Sequence, residues 1–199
     1  MVKFFLDSAK VDEISAALDL WDIDGVTTNP RHVQASGKPF ITAIKEIARL
    51  FEGTDKPVSV EVNPHHTEAA AMVEEGVKLA ALSPNFVIKL PATEAGFKAI
   101  PCLAEQGVRA NLTLCFSAVQ APPAMRMGAV FVSPFIGWKE SNAEDTRAMI
   151  EEIVAIRDNY GFMTEVLVAA VRNGRQIAEA AVAGADIVTA GYDVYKEAF

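Results

Sequence analysis

The apolar positions of this chain alternate between two patterns. Short, nearly continuous apolar runs occur at Phe4–Asp7, Gly25–Asn29, Val58–Val62, Phe86–Leu90, Arg109–Leu114, Ala129–Phe135, Glu165–Ala169 and Ile187–Ala190. Runs of this kind predict parallel strands buried on both faces. The stretches between them have helical periodicity. After Asn142, residues Met149, Ile150, Ile153 and Ile156 recur at three- and four-residue steps, with acids on the opposite face. Val73, Val77, Leu79 and Ala80 do the same after Thr67. Thr67-Glu68 and Thr93-Glu94 pair a side-chain acceptor with an early acid, which predicts a helix start at each. Gly107, Gly128, Gly161 and Gly184 each stand shortly before a strand and predict left-handed helix ends.

Strand and helix alternating eight times predict an α/β fold, a single (β/α)8 TIM barrel over residues 1–199. An open doubly wound sheet is the other arrangement with this alternation. No GxGxxG or GxxxxGK[ST] loop is present to favour it. Only Tyr192–Phe199 follow the last strand, so the eighth helix is expected to be short or missing.

Composition narrows the function classes. About half of the 199 residues are apolar, which argues for a packed core. The formal charge of −8 disfavours general affinity for nucleic acid or anionic membrane. It leaves room for an anionic small molecule held by one or two local cations. Cys102 and Cys115 lack motif spacing and are expected to be reduced, buried small hydrophobes. The N-terminal run Val2–Leu6 is too short for a signal peptide, and no apolar stretch is long enough to span a bilayer. A cytoplasmic protein is expected.

In a barrel, chemistry sits at the C-terminal ends of the strands. Those ends carry polar groups here: Asp7; Thr27-Thr28-Asn29-Pro30; Glu61; Lys89; Asn111 and Thr113; Ser133 with Phe135. Asn111 and Thr113 are two apart and share a face, as do Ser133 and Phe135. Lys89 interrupts Phe86-Val87-Ile88-Lys89-Leu90-Pro91. Burial disfavours a charged amine, and a neutral amine attacks carbonyls. The same placement suits a structural ion pair with Glu61 or Asp7, or a lysine reaching out from a strand edge. Asp7 and Glu61 could divide acid and base roles, or Asp7 could cap the helix after Ser8. His65-His66 lack the further ligands a metal site needs. Trp21 is expected in the core, and Met125–Met127 in packing.

Several blocks together resemble the transaldolases and the small fructose-6-phosphate aldolases. They are Leu6-Asp7, Gly25-Val26-Thr27-Thr28-Asn29-Pro30, Val87-Ile88-Lys89-Leu90-Pro91, Asn111-Leu112-Thr113-Leu114-Cys115-Phe116-Ser117 and Ser133-Pro134-Phe135-Ile136-Gly137. The resemblance implies a Schiff-base lysine at Lys89 and an acid/base at Asp7. It implies that Glu61 and Thr113 hold a catalytic water. Thr28, Asn29, Asn111, Ser133 and Phe135 would line the substrate, with Asn29, Asn111 and Ser133 orienting a dihydroxyacetone unit. It further implies transfer between sugar phosphates with no metal or organic cofactor, and a homo-oligomer, a ring of five or ten. Glu61 with Phe135 matches the transaldolases, whereas the aldolases tend to have Gln and Tyr. Aldolase cleavage of a ketose is the alternative.

Three departures from that pattern concern the substrate. Trp138 replaces an arginine that helps bind phosphate, Ala170 replaces a serine ahead of Arg172, and Arg31 replaces a serine after Asn29-Pro30. Either Arg31 and Arg172 rebuild the anion site with Trp138 over the sugar chain, or the donor has a different tail. That tail could be a sulfonate or uncharged.

Overall fold

In a computed structural model describing residues 1–142 and 144–199, eight parallel strands close into one barrel in sequence order. They are β1 (Lys3–Asp7), β2 (Gly25–Thr27), β3 (Val58–Glu61), β4 (Phe86–Pro91), β5 (Ala110–Cys115), β6 (Phe131–Pro134), β7 (Glu165–Val171) and β8 (Ile187–Ala190). β8 pairs with β1 from Lys3↔Ile187 to Leu6↔Ala190, closing the ring. The expected TIM barrel is therefore observed.

The helices between strands are α1 (Val11–Trp21), α2 (Pro30–Ala35), α3 (Phe40–Leu50), α4 (Ala69–Ala80), α5 (Glu94–Ala104), α6 (Ala121–Arg126), α7 (Gly137–Ser141), α8 (Thr146–Tyr160), α9 (Gly174–Val182) and α10 (Tyr192–Ala198). Two are short insertions directly after strands: α2 after β2 and α7 after β6. Both therefore lie at the C-terminal mouth of the barrel, where the eight strands all end.

Period-two alternation sorts the strand residues into two layers. Leu6, Val26, Val60, Ile88, Leu90, Leu112, Val132, Val166 and Val188 join the large core shared with helix residues such as Ile14, Ile44, Ile100 and Ile150. Phe5, Val87, Phe131, Leu167, Ala169 and Ile187 form a separate, smaller cluster. This second cluster fills the barrel, with Phe5 and Phe131 edge to face at 6.1 Å. It makes a dry floor beneath the polar residues at the strand ends.

The local signals are met unevenly. Gly107, Gly128, Gly161 and Gly184 all have positive φ, and Gly161 is the left-handed cap of α8. Thr93 caps α5 by accepting from the Gly96 amide. Thr67 does not cap: α4 begins one residue later, at an extended Glu68 with no side-chain cap bond. β2 stops at Thr27, not Asn29, because Asn29 turns away to cap α2. β6 starts at Phe131, not Ala129, since the chain needs Ala129 and Val130 to re-enter the sheet after left-handed Gly128. Met125 is packed but Met127 is exposed. Cys115 is buried, and burial pushes its thiol up to about 12. Cys102 is exposed, contrary to expectation, because it lies on the outer face of α5.

The eighth helix is present but has only seven residues. Tyr195 anchors it. Its ring is fully buried, stacked with Phe199 and edge to face with Phe4. Half-buried Trp21 packs against the large core, as expected, and joins the same aromatic group. The Tyr195 hydroxyl donates to the Phe5 carbonyl at 2.8 Å, with the Val188 carbonyl at 3.1 Å. One side chain thus ties the short helix to the closing strands.

Candidate active site

Glu61, Lys89 and Asn111 occupy neighbouring positions in register across β3, β4 and β5. Residues in register on parallel strands face the same way, so all three point into the barrel above its apolar floor. Lys89 is buried; its Nζ lies 3.2 Å from Glu61 Oε2 and donates to the Thr28 carbonyl at 2.6 Å. It does not reach out from a strand edge. It is held inside by one charge and one main-chain dipole.

Asp7 ends β1 and faces the same space. Thr27 Oγ1 donates to its Oδ1 at 2.8 Å, and Thr27 in turn meets Thr189 at 2.7 Å. His32 Nε2 lies 3.0 Å from the other oxygen, Oδ2. Burial pushes the carboxyl up, but the His32 bond and charge, the Lys89 charge and the Thr27 hydroxyl outweigh it. The carboxyl is held below its ordinary value. Asp7 does not cap α1, whose N-cap is Lys10; Ser8 Oγ accepts the Lys10 amide instead.

Asn111 is fully buried and wired on both sides: Nδ2 donates to Ser59 Oγ at 3.1 Å, and Oδ1 accepts from Ser133 Oγ at 2.8 Å. The chain Ser59–Asn111–Ser133 fixes which way the amide points. Thr113 is buried two residues beyond Asn111, and Phe135 meets Phe116 edge to face at 6.0 Å. Thr28 enters the site through its carbonyl alone, because its hydroxyl donates to the Ser59 carbonyl at 2.9 Å. Asn29 Oδ1 accepts the His32 amide, so that oxygen is committed to capping α2.

Arg31, Trp138 and Arg172 lie at the mouth. Arg31 is exposed on the first turn of α2, and Trp138 is 65% exposed on α7. Arg172 follows β7 and donates to Ser141 Oγ at 2.7 Å. Neither arginine has a carboxylate partner among the described residues, whereas Arg147 has one and Arg157 and Arg175 have two each. Gly137 makes room for Arg172: a Cβ there would lie 2.8 Å from Arg172 Nε and 2.3 Å from the Ala170 carbonyl. Ala170 itself has φ +60 at a register shift between β7 and β8, a bulge in the strand.

The family model described as transaldolase/fructose-6-phosphate aldolase matches residues 4–199. The chain belongs to this family. Over 199 residues it is 56% identical to a 6-deoxy-6-sulfo-D-fructose transaldolase of Priestia megaterium, covering 100% of this chain and 88% of that one. It is 45% identical to a probable transaldolase of Desulfatibacillum aliphaticivorans, covering 98% and 89%. Among solved structures, a thiamine phosphate pyrophosphorylase from Pyrococcus furiosus superposes with a TM-score of 0.70 at 12% identity, covering 99% and 93%. That likeness concerns the barrel alone.

The protein is thus an enzyme of the transaldolase kind, built as its family's barrel. Among the described residues no helix is long and apolar enough to cross a membrane, and no group of three or more metal-ligating side chains converges. His66 pairs with Glu75 at 3.0 Å. Sequence reasoning named Thr27 only as a polar strand end, without a role, and missed Ser59, Thr189 and His32. Register would have indicated Thr27, which pairs with Asp7 across β1 and β2. Asn29 followed by Pro30 marks a helix start and places residue 32 in its first turn, but nothing local aims the imidazole at Asp7.

Proposed function

We propose that the chain transfers a dihydroxyacetone unit from an anionic ketose to an aldehyde acceptor through a Schiff base on Lys89. The observation that carries this reading is the buried Lys89 amine, set between the Glu61 carboxylate and the Thr28 carbonyl. Glu61 accepts the proton the amine must lose. The amine attacks the donor ketone, and loss of water gives the imine. Glu61 and Thr113 hold that water. Asp7 takes the proton of the C4 hydroxyl, the C3–C4 bond breaks, and its electron pair passes into the iminium. The first aldehyde leaves. An acceptor aldehyde is attacked by the enamine, its oxygen takes the proton back from Asp7, and water releases the new ketose. Asn29, Asn111 and Ser133 orient the three-carbon unit, with Phe135 against it. Ser59 holds Asn111, so Asn111 needs no rearrangement to bind.

Arg31 and Arg172 bind the anionic tail of the donor, and Trp138 packs over the sugar chain. Two arginines free of carboxylates at the mouth support this, as does the sulfonated sugar in the name of the Priestia relative. The favoured tail is a 6-sulfonate, with phosphorylated ketose and aldose as the other partners. Residues 1–199 act as one catalytic domain. Family membership supports a cytoplasmic homo-oligomer, which light scattering of the purified protein tests.

Borohydride trapping with dihydroxyacetone and with 6-deoxy-6-sulfo-D-fructose tests the chemistry. A three-carbon adduct on Lys89 is expected from both, by peptide mass spectrometry. An adduct on another lysine, or none from folded protein, defeats the reading.

A further inference from the structure

The imidazole of His32 has no part in the chemistry set out above, yet it lies 3.0 Å from Asp7. The His32 backbone is held in place. Pro30 presets the first turn of α2, and Asn29 accepts the His32 amide at 3.0 Å. With the backbone fixed at both points, a single turn of helix delivers Nε2 to Asp7 Oδ2. Thr27 Oγ1 holds Oδ1 from inside the barrel at 2.8 Å. The carboxylate is therefore clamped from two sides, and its remaining lone pairs face the space beside Lys89.

We propose that His32 is a positioning residue for carbon–carbon bond cleavage, holding the Asp7 carboxylate from the mouth of the barrel while Thr27 holds it from within. The proposal rests on the Schiff-base reading and deepens it. A base must lie within hydrogen-bond reach of the proton it takes, and misplacement by an ångström can slow a reaction about a hundredfold. An Asp7 held only by Thr27 is free to swing about that one bond, toward the cleft it shares with His32.

The surroundings leave His32 as the side chain that meets Asp7 Oδ2 on the mouth side. That cleft is also lined by Lys10 and Glu13 near the start of α1, and by Tyr192 and Asp193 of α10. Lys10 is committed to Glu13 at 2.7 Å, and Ser8 occupies the other Glu13 oxygen at 2.6 Å. Lys89 acts on Asp7 from β4 through its charge, and Tyr195 of α10 senses the Asp7 charge from below. None of these replaces a hydrogen bond to Oδ2.

Three variants of the full chain test the proposal: His32→Leu, His32→Asn and His32→Gln. Leu removes the bond. Asn is polar but too short to reach, and Gln places an amide N–H near the position of Nε2. Trapping of dihydroxyacetone on Lys89 does not use Asp7, so it reads the Schiff-base chemistry separately. Failure of trapping in the unaltered protein refutes the parent reading, whatever His32 does.

With trapping intact, His32→Leu and His32→Asn are expected to lower kcat for donor cleavage about tenfold or more, with KM changed little. The acidic limb of kcat/KM should move to higher pH, because Asp7 loses a group that favours its ionised form. Gln should recover most of kcat. If Leu fails to fold, Asn carries the same expectation. Unchanged kcat and pH profile in Asn, or Gln no better than Asn, would overturn the proposal.

Discussion

The side chain of Lys89 donates to the main-chain carbonyl of Thr28 at 2.6 Å, across 61 residues of chain. An amine carries three protons when charged and one lone pair when neutral. Thr28 takes one direction and Glu61 a second, leaving one for a substrate carbonyl. The carbonyl of Thr28 is aimed by the Thr28 amide and hydroxyl, which both bond to the Ser59 carbonyl. The Lys89 amine is thus oriented by main-chain bonds between neighbouring strands.

Glu61 should matter to imine formation more than to binding. Glu61→Gln keeps the size of the side chain and its hydrogen-bonding reach but cannot take a proton. Loss of one general base slows a step by about a hundred- to ten-thousandfold. Rapid-quench borohydride trapping should show slower imine formation at saturating donor, with the fold intact by circular dichroism.

Arg172 and Gly137 should act as a unit on the anionic tail. Gly137→Ala places a methyl against Arg172 Nε and the Ala170 carbonyl, so the guanidinium must move. Gly137→Ala and Arg172→Ala are each expected to raise KM for the sulfonated or phosphorylated donor about tenfold or more, matching loss of a charged hydrogen bond of about 1.5–3 kcal/mol. Steady-state kinetics against an uncharged ketose supplies the control, whose KM should change far less.

Asp7 should stabilise the fold across neutral pH and stop doing so only in acid. Its folded carboxyl titrates below the ordinary value of 3.8, so the unfolded chain binds its proton first as pH falls. The stabilisation is complete above the unfolded value and lost as pH drops through the folded one. The difference in Tm between the unaltered protein and Asp7→Asn should stay level between about pH 5 and 7 and narrow below about pH 4. A gap that narrows already near pH 6 contradicts this.

Tyr195→Phe should weaken the closure of the barrel without touching the mouth. It removes the hydroxyl bond to the Phe5 and Val188 carbonyls, a loss of about 0.5–1.5 kcal/mol. Urea denaturation should show the lower midpoint, while Lys89 trapping by dihydroxyacetone stays as before.

The strands were readable because each one is a local pattern. A lysine inside Phe86–Pro91 is conspicuous wherever the strand ends up, and so are Asp7, Glu61 and Asn111 in theirs. Their convergence was also readable in outline, since period-two alternation gives the face and the barrel gives the end. The role of Thr28 was not readable: the sequence offers its hydroxyl, and the fold uses its carbonyl. Nor was the exposure of Cys102, which depends on how α5 is rotated against the sheet.

From the order of its residues alone, the chain determines eight strand-helix units, an inward lysine and a set of polar strand ends. Strand propensity, alternation and capping act within a few residues and need no partner. Which of those polar groups touch was decided by tertiary structure. Thr27 meets Thr189 across 162 residues, and Asp7 meets His32 only because β1 and β2 pair in one register. Barrel closure sets that register, and a slip of one residue would turn each side chain to the opposite face.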